Sequence, residues 1–184
     1  MDKIAVNYEK MYYGFPVVFI SYYDRNGHPN VTPISSSYTL KDMMMLGFNT
    51  KGYAVGEIKE VKDFVVNLAA ASQAEAMDYC GTRSGRDVHK FDEIPLTPVP
   101  SANVNAPLIE ECPVSIECSV AEVVESAEFP GITHIMARIK GRLIAQELLD
   151  EQERLKPSML DNIVYAGDGV KRGYRYLSKV QAPL

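Results

Sequence analysis

The chain has 184 residues, a net charge of −5 at pH 7, 46% hydrophobic and 23% charged residues. That length suits a single domain over residues 1–184, and a domain of this size buries roughly 70% of its unfolded surface without staples. The acidic balance argues against a general nucleic-acid binder and against a polybasic membrane anchor, while leaving room for a local cationic pocket that takes a small anion.

Cys80, Cys112 and Cys118 are odd in number and poor material for a disulfide framework, which points to a reduced, cytoplasmic protein. The opening residues MDKIAVNYEKMYYG lack the apolar stretch of a signal peptide. No apolar run approaches the ~20 residues of a membrane span.

Residues 15–23, FPVVFISYY, are apolar on both faces and rich in β-branched and aromatic side chains, the pattern of a strand buried on both sides. Asn26-Gly27 signals a hairpin. VTPISSSYTL (31–40) returns as the partner strand, with Pro33 implying an edge or an irregularity because proline cannot donate to a ladder. DMMMLGFN (42–49) reads as a third strand. The period then changes: Ala54, Ile58 and Val61 share one helical face within residues 51–62. DFVVNLA (63–69) is a short strand. Ser72 and Glu75 have the spacing of a capping box, opening a helix to about Cys80 with Gly81 as its stop. Residues 91–113, with five prolines, read as loop. In VSIECSVAEV (114–123), Val114, Ile116, Cys118 and Val120 alternate with Ser115, Glu117 and Ser119, a half-buried strand. In residues 133–145, Ile135, Ala137 and Ile139 oppose His134, Met136, Arg138 and Lys140. An acidic helical patch near 149–155 and a strand YRYLS (174–178) follow. The expected class is mainly β with inserted helices, a closed antiparallel barrel with helices over its ends.

The histidines, His28, His89 and His134, are scattered, and no Cys or His pair has a ligand spacing, so no metal site is expected. Cys80 near Arg83 is either an activated thiol or a packed one. Three stretches suit a phosphorylated ligand. GFNTKG leads into the helix, whose N-terminal amides could join Asn49, Thr50 and Lys51 around a phosphate; an ordinary strand-to-helix turn explains it equally. In SGRDVHK, Gly85 permits close backbone approach, Ser84 donates and Arg86 offers a fork, or the segment is a solvated loop. NVTPISSS is too polar on both faces for a core strand: it either reads the edge of a heteroaromatic ring or forms a solvent-facing edge.

Taken in order, PVVFISYYDRNGHPNVTPISSS, EIKEVKDFVVNL, AMDYCGTRSGRDVHKF, LTPVPSANVNAPLIEECPVSIECSV and THIMARIKGRLI resemble the flavin reductase-like family, with the flavoredoxin subgroup nearest. The resemblance spans roughly residues 12 to 145. It implies an FMN-binding split barrel, a six-stranded antiparallel Greek-key barrel that dimerises, with FMN near the interface of a homodimer. It implies that Thr32, Pro33, Ile34, Ser35 and Ser36 line the isoalloxazine edge. Phe48, Asn49, Thr50 and Lys51 would follow the ribityl chain and phosphate. Ser84, Arg86 and Lys90 would sit at the phosphate or nicotinamide end. His134 matches a family histidine near the flavin face, the candidate catalytic group. The implied chemistry is hydride transfer from NAD(P)H to flavin N5, with electrons leaving to a flavin, a metal complex or a redox protein partner; the alternative is an FMN electron carrier without a productive nicotinamide site. Two departures stand out. The family's T-x-x-N-I reads Ala54 and Glu57 before Ile58, a lost hydroxyl and an added negative charge expected to weaken phosphate binding. Its Gly-Glu in the histidine strand reads Ala137-Arg138.

Overall fold

A computed structural model describes residues 1–8, 10–168, 170 and 172–177. The double-sided apolar run divides in two. Met11–Pro16 (β1) joins a small peripheral sheet, and Val18–Tyr23 (β2) enters the main one, buried from Val18 through Tyr22. The change of sheet falls at Val17, whose N–H donates to Ile163 O at 2.9 Å. The Asn26-Gly27 hairpin forms as expected. Gly27 takes φ +83°, and Asp24 Oδ1 accepts the N–H groups of Asn26 and His28, each at 2.9 Å.

The expected return strand is also divided, into Pro29–Ile34 (β3) and Ser37–Leu40 (β4). With Met43–Asn49 (β5), Asp63–Leu68 (β6), Val114–Glu125 (β9) and Ile132–Ile144 (β10), they make an antiparallel sheet of order β3-β2-β6-β9-β10-β5-β4. β3 and β4 are consecutive in the chain and lie at opposite ends of that sheet. Ser35 and Ser36 are the corner that closes it into a split barrel, where the Gly47 N–H donates to Ser36 O at 2.8 Å. The sheet therefore has seven strands instead of six, because the corner cuts one strand in two. Pro33 sits on the edge strand, where its missing N–H costs no ladder bond.

The barrel interior is filled by Ile20, Tyr22, Leu46, Phe64, Val66, Cys118 and Ile135. The helix Tyr53–Val61 (α1) plugs one end through Ala54, Val55 and Ile58. The second helix, Ala74–Thr82 (α2), does not cover an end; it packs on the sheet's outer face with Phe19, Val31, Ile109 and Ile163 in a second core. The Ser72/Glu75 capping box does not form. Ala70 N–H donates to Gln73 Oε1 at 2.7 Å, half of a box whose other half an alanine side chain cannot supply. Gly81 lies inside the last turn instead of ending the helix.

The proline-rich segment is more ordered than its composition suggests: Pro98–Pro100 (β7) and Pro107–Ile109 (β8) pair. This layer explains another departure. Ser115 and Glu117, expected on the solvent face of β9, are 3% and 0% exposed. Ser115 Oγ donates to Asn67 Oδ1 at 2.8 Å, and Asn67 Oδ1 also accepts Ile109 N–H at 3.1 Å. Glu117 receives the amides of Ala102 and Asn103. Every one of these polar groups is thus satisfied, as burial requires.

The acidic patch at 149–155 is not helical. Asp150 Oδ1 accepts the N–H groups of Gln152 and Arg154, closing a turn with Glu153 at φ +58°. An aspartate side chain that competes for local amides favours such turns over helix. Ile163–Asp168 (β11) and Arg172–Tyr176 (β12) complete the small sheet with β1; Ser178 of the expected last strand lies outside the described residues. Among the described residues no helix is long and apolar enough to cross a membrane.

Candidate functional site

At the split of the barrel the free edge of β3 faces the end of β5, leaving a cavity of about 260 Å³. Of the residues singled out by sequence, Thr32, Pro33, Ile34, Phe48, Asn49, Ser84 and Lys90 line it together. Tyr22, Tyr53, Arg83 and Gly85 complete much of the wall, along with the first turn of α1. Among the described residues no carboxylate lines it.

α1 opens without a side-chain cap: its N-cap is Gly52, and no acidic residue occupies the first turn. Tyr53, Ala54 and Val55, whose amides are the orphan donors of that turn, all border the cavity. Gly52 suits this tight entry, since a Cβ there would lie 3.0 Å from Asn49 O. Across from it, Gly85 lets the 83–89 loop rest against β3 and α1; a Cβ at Gly85 would meet Asn30 Nδ2 at 2.4 Å and Tyr53 Cδ1 at 2.8 Å.

The remaining site candidates stand around the cavity without lining it. Arg86 Nη2 donates to Lys51 O at 3.1 Å, and its guanidinium lies over the Tyr53 ring, 5.5 Å from the centroid. It therefore fastens the 83–89 loop to the β5–α1 turn. Thr50 turns its hydroxyl to Thr133, at 2.9 Å, in a chain that continues from Thr133 to Glu125 and Lys59. Lys51 is exposed, and its N–H is held by Asn49 Oδ1 at 2.9 Å. Ser35 and Ser36 form the barrel corner, and His134 is exposed on the outer face of β10 opposite Gly47. A Cβ on Gly47 would meet Ser36 Cβ at 3.2 Å and His134 Cδ2 at 3.7 Å, so Ser36 and His134 both flank Gly47 at the cavity.

Glu57 does not face the cavity. It is 3% exposed and takes a forked contact from Arg25, with Nη2 to Oε1 at 2.7 Å and Nε to Oε2 at 3.2 Å. The Arg25 hydrogen bond holds the Glu57 carboxyl below the usual carboxylate range, outweighing the opposing effect of burial. Its charge is spent on the β2–β3 hairpin. Ala54, in contrast, does border the cavity, so the lost hydroxyl is real.

Tyr22 and Tyr53 were not singled out from sequence. Both sit in stretches that read as apolar strand and helix face, and nothing in a tyrosine's local pattern says which way its hydroxyl points. Burial raises the Tyr22 phenol well above its ordinary value, so it is a neutral wall group.

The cysteines are packing residues. Burial pushes the Cys80 thiol up to about 11 and those of Cys112 and Cys118 up to about 12. At pH 8 a water-soluble disulfide reagent is expected to modify none of them in the folded protein and all three after denaturation. A native-state reaction at Cys80 would show an activated thiol after all.

A family model described as "Flavin reductase like domain" matches residues 11–162. An uncharacterized Bacillus subtilis protein, YdfE, is 26% identical over 171 residues, covering 84% of this chain and 82% of its own. The flavoredoxin of Desulfovibrio vulgaris (Miyazaki F) superposes with a TM-score of 0.87 at 22% identity, over 99% of this chain and 97% of its own. The FMN-binding protein from Thermus thermophilus, in a structure with bound 1-cyclohex-2-enone, gives 0.77 at 19% identity, over 100% and 99%. The barrel, its split and the length of the family match agree, and the chain belongs to the flavin reductase-like domain family.

Proposed function

We propose that the protein is an FMN-dependent oxidoreductase that takes hydride from NAD(P)H and passes electrons to a flavin, a metal complex or a redox protein. The observation that carries this is the cavity wall, which among the described residues holds the cations Arg83 and Lys90, an uncapped helix N-terminus and no carboxylate, all beside a free strand edge. That set fits the parts of FMN. The α1 amides and Arg83 suit the phosphate, since a dipole end contributes roughly 0.3–1 kcal/mol and a charged hydrogen bond roughly 1.5–3. The edge of β3 at Thr32–Ile34 offers backbone groups to a flat heteroaromatic ring. Bound there, the flavin supplies reversible two-electron chemistry, and the chain supplies position and polarity. His134, beside Gly47 and Ser36, is the candidate group near the reacting face.

The cavity of about 260 Å³ is small beside the roughly 300–1,000 Å³ of sites that bury a comparable ligand. A homodimer that closes the rest of the ring between two copies resolves this, and a strictly monomeric FMN complex in analytical ultracentrifugation would contradict it. Buried, unpaired cysteines support a reducing, cytoplasmic setting.

The test is the absorption spectrum from 300 to 550 nm with FMN, then NADH or NADPH, without oxygen. Flavin bands that bleach on nucleotide addition are expected. Bands that resist both nucleotides and bleach only with dithionite would make the protein an electron carrier instead. No bound flavin would refute both readings. A His134→Ala variant is expected to slow the nucleotide-driven bleaching while retaining FMN; full retention of rate would remove His134 from the reaction.

A further inference from the structure

We propose that Thr133, outside the cavity, is a positioning residue for the phosphate of a bound flavin: it holds the β5–α1 turn through Thr50, whose hydroxyl acts as a strut and not as a phosphate donor. This rests on the flavin reading above.

Thr133 is fully buried on β10 beside the end of β5, where it pairs with Phe48 and Ile132 pairs with Asn49. Its hydroxyl has two neighbours, Glu125 Oε1 at 2.8 Å and Thr50 Oγ1 at 2.9 Å. Glu125 decides which way the protons run. Its hydrogen bonds with Lys59 and Thr133 hold its carboxyl below the usual carboxylate range, so at neutral pH it is ionised and only accepts. Thr133 has one proton and gives it to Glu125. Thr50 must then give its own proton to Thr133. That leaves Thr50 with lone pairs alone to offer a phosphate oxygen, and it borders the cavity without lining it.

What the strut fixes is backbone. Thr50 N–H donates to Gly131 O, and Gly52 N–H to Asn49 O, each at 2.9 Å. Lys51 N–H donates to Asn49 Oδ1 at 2.9 Å. The amides of residues 50–52 are thus spent inside the turn, and those left for an anion begin at Tyr53, in the uncapped first turn of α1. Where they point depends on how the turn sits against β10. The carboxylate that anchors the strut also pairs with Lys59 in the last turn of α1. Glu125 therefore holds the helix at its exit directly and at its entry through Thr133 and Thr50. Donors fixed in place before the ligand arrives are what a phosphate at a helix start needs.

Riboflavin, which has the ring and lacks the phosphate, separates this role from a general structural one. FMN and riboflavin are titrated by fluorescence into the full chain and into Thr133→Val, Thr133→Ser, Thr50→Val and the double Thr50→Val/Thr133→Val variant, with circular dichroism confirming the fold. Thr133→Val is expected to weaken FMN roughly threefold to tenfold, the size of one lost hydrogen bond, and riboflavin by less than about twofold. Thr133→Ser keeps the hydroxyl and is expected to restore most of the loss. Thr50→Val is expected to match Thr133→Val, and the double variant to lose little more than either alone. Losses that multiply in the double variant would mean that Thr50 meets the phosphate itself, and would overturn the proposal. Equal losses of both flavins, no loss from Thr133→Val, or a wild type that binds the two flavins equally well would overturn it too. Glu125→Ala makes the test at an exposed residue, without touching the core. Deleting a negative charge should by Coulomb attraction alone favour the phosphate, whereas loss of the anchor weakens FMN. Unchanged or tighter FMN binding by Glu125→Ala overturns the proposal. None of these outcomes removes the flavin reading while the wild type binds FMN; a wild-type chain that binds neither flavin overturns both.

Discussion

Gly141→Ala is expected to destabilise the protein by about 3 kcal/mol or more, a larger loss than a surface glycine normally gives. Gly141 lies on β10 beside the fully buried Glu117 on β9, next to a register shift between Ile139 and Gly141. A Cβ there would stand 2.1 Å from Glu117 Oε2 and 2.8 Å from Asn103 Nδ2. Neither can move cheaply. Glu117 Oε1 accepts Ala102 N–H at 2.8 Å and Asn103 N–H at 3.1 Å, while Oε2 accepts Asn103 Nδ2 at 2.5 Å. Those bonds tie the 101–106 turn, and with it β8, to the sheet. Displacing the carboxylate leaves a buried charge without its donors. The melting temperature should fall by roughly 6–12 °C for a chain of this size. A Glu117→Ala background isolates the cause: most of the Gly141→Ala cost should vanish there, as a double-mutant cycle reads it. A cost under about 1 kcal/mol in the wild-type background would show that the carboxylate yields instead.

The sequence pattern was legible wherever one side chain's burial depends on its own strand. β2 is buried on both faces from Val18 through Tyr22, as its apolar run implies, and β10 alternates with Ile135, Ala137 and Ile139 inside and His134, Arg138 and Lys140 outside. β9 did not, because its second face is covered by β7–β8 and the turn between them, a layer set by distant pairing that local alternation does not encode. Ser115 and Glu117 looked like solvent-facing polar residues; with Asn67 they are the buried polar links to that layer. The family resemblance implied the split barrel; among the residues themselves Pro33 pointed to an edge and not to the corner two residues later.

The site divides along a similar line. Backbone-driven features could be read: the glycine at 85, the helix start after Asn49, the polar edge at Thr32–Ile34. Side-chain assignments depended on directions that sequence does not carry. Arg86 resembled a phosphate fork and instead spans the loop and the β5–α1 turn. Glu57 resembled an obstacle to phosphate and is drawn off by Arg25, thirty-two positions away on a hairpin. Lys90 looked like one cation among several and is the buried one. Each correction comes from a tertiary partner far in sequence.

Gly85→Ala is expected to weaken FMN at least tenfold, equivalent to about 1.4 kcal/mol, with a smaller effect on stability. The new Cβ would fall 2.4 Å from Asn30 Nδ2 and within 3.0 Å of the Tyr53 ring. Tyr53 is half-buried and has room to turn. Asn30 has little: it is 3% exposed, and its Oδ1 holds Val31 N–H at 2.8 Å on the first strand edge of the site. The 83–89 loop must therefore lift from β3. Ser84 and Arg83 move with it on the near side, and Lys90 follows on the far side, so rim and wall lose registry together. The Arg86 bond to Lys51 O and its stacking on Tyr53 are exposed contacts, and their loss adds little to unfolding. Gly56→Ala is the matched control. A Cβ at Gly56 meets nothing within 4 Å, inside α1, so that variant should be stabilised by roughly 0.5–1 kcal/mol with FMN affinity unchanged. Titration and thermal unfolding of both variants give four signs. Tight FMN binding by Gly85→Ala would mean that the loop accommodates the methyl group and that its close approach to Asn30 is not what shapes the cavity.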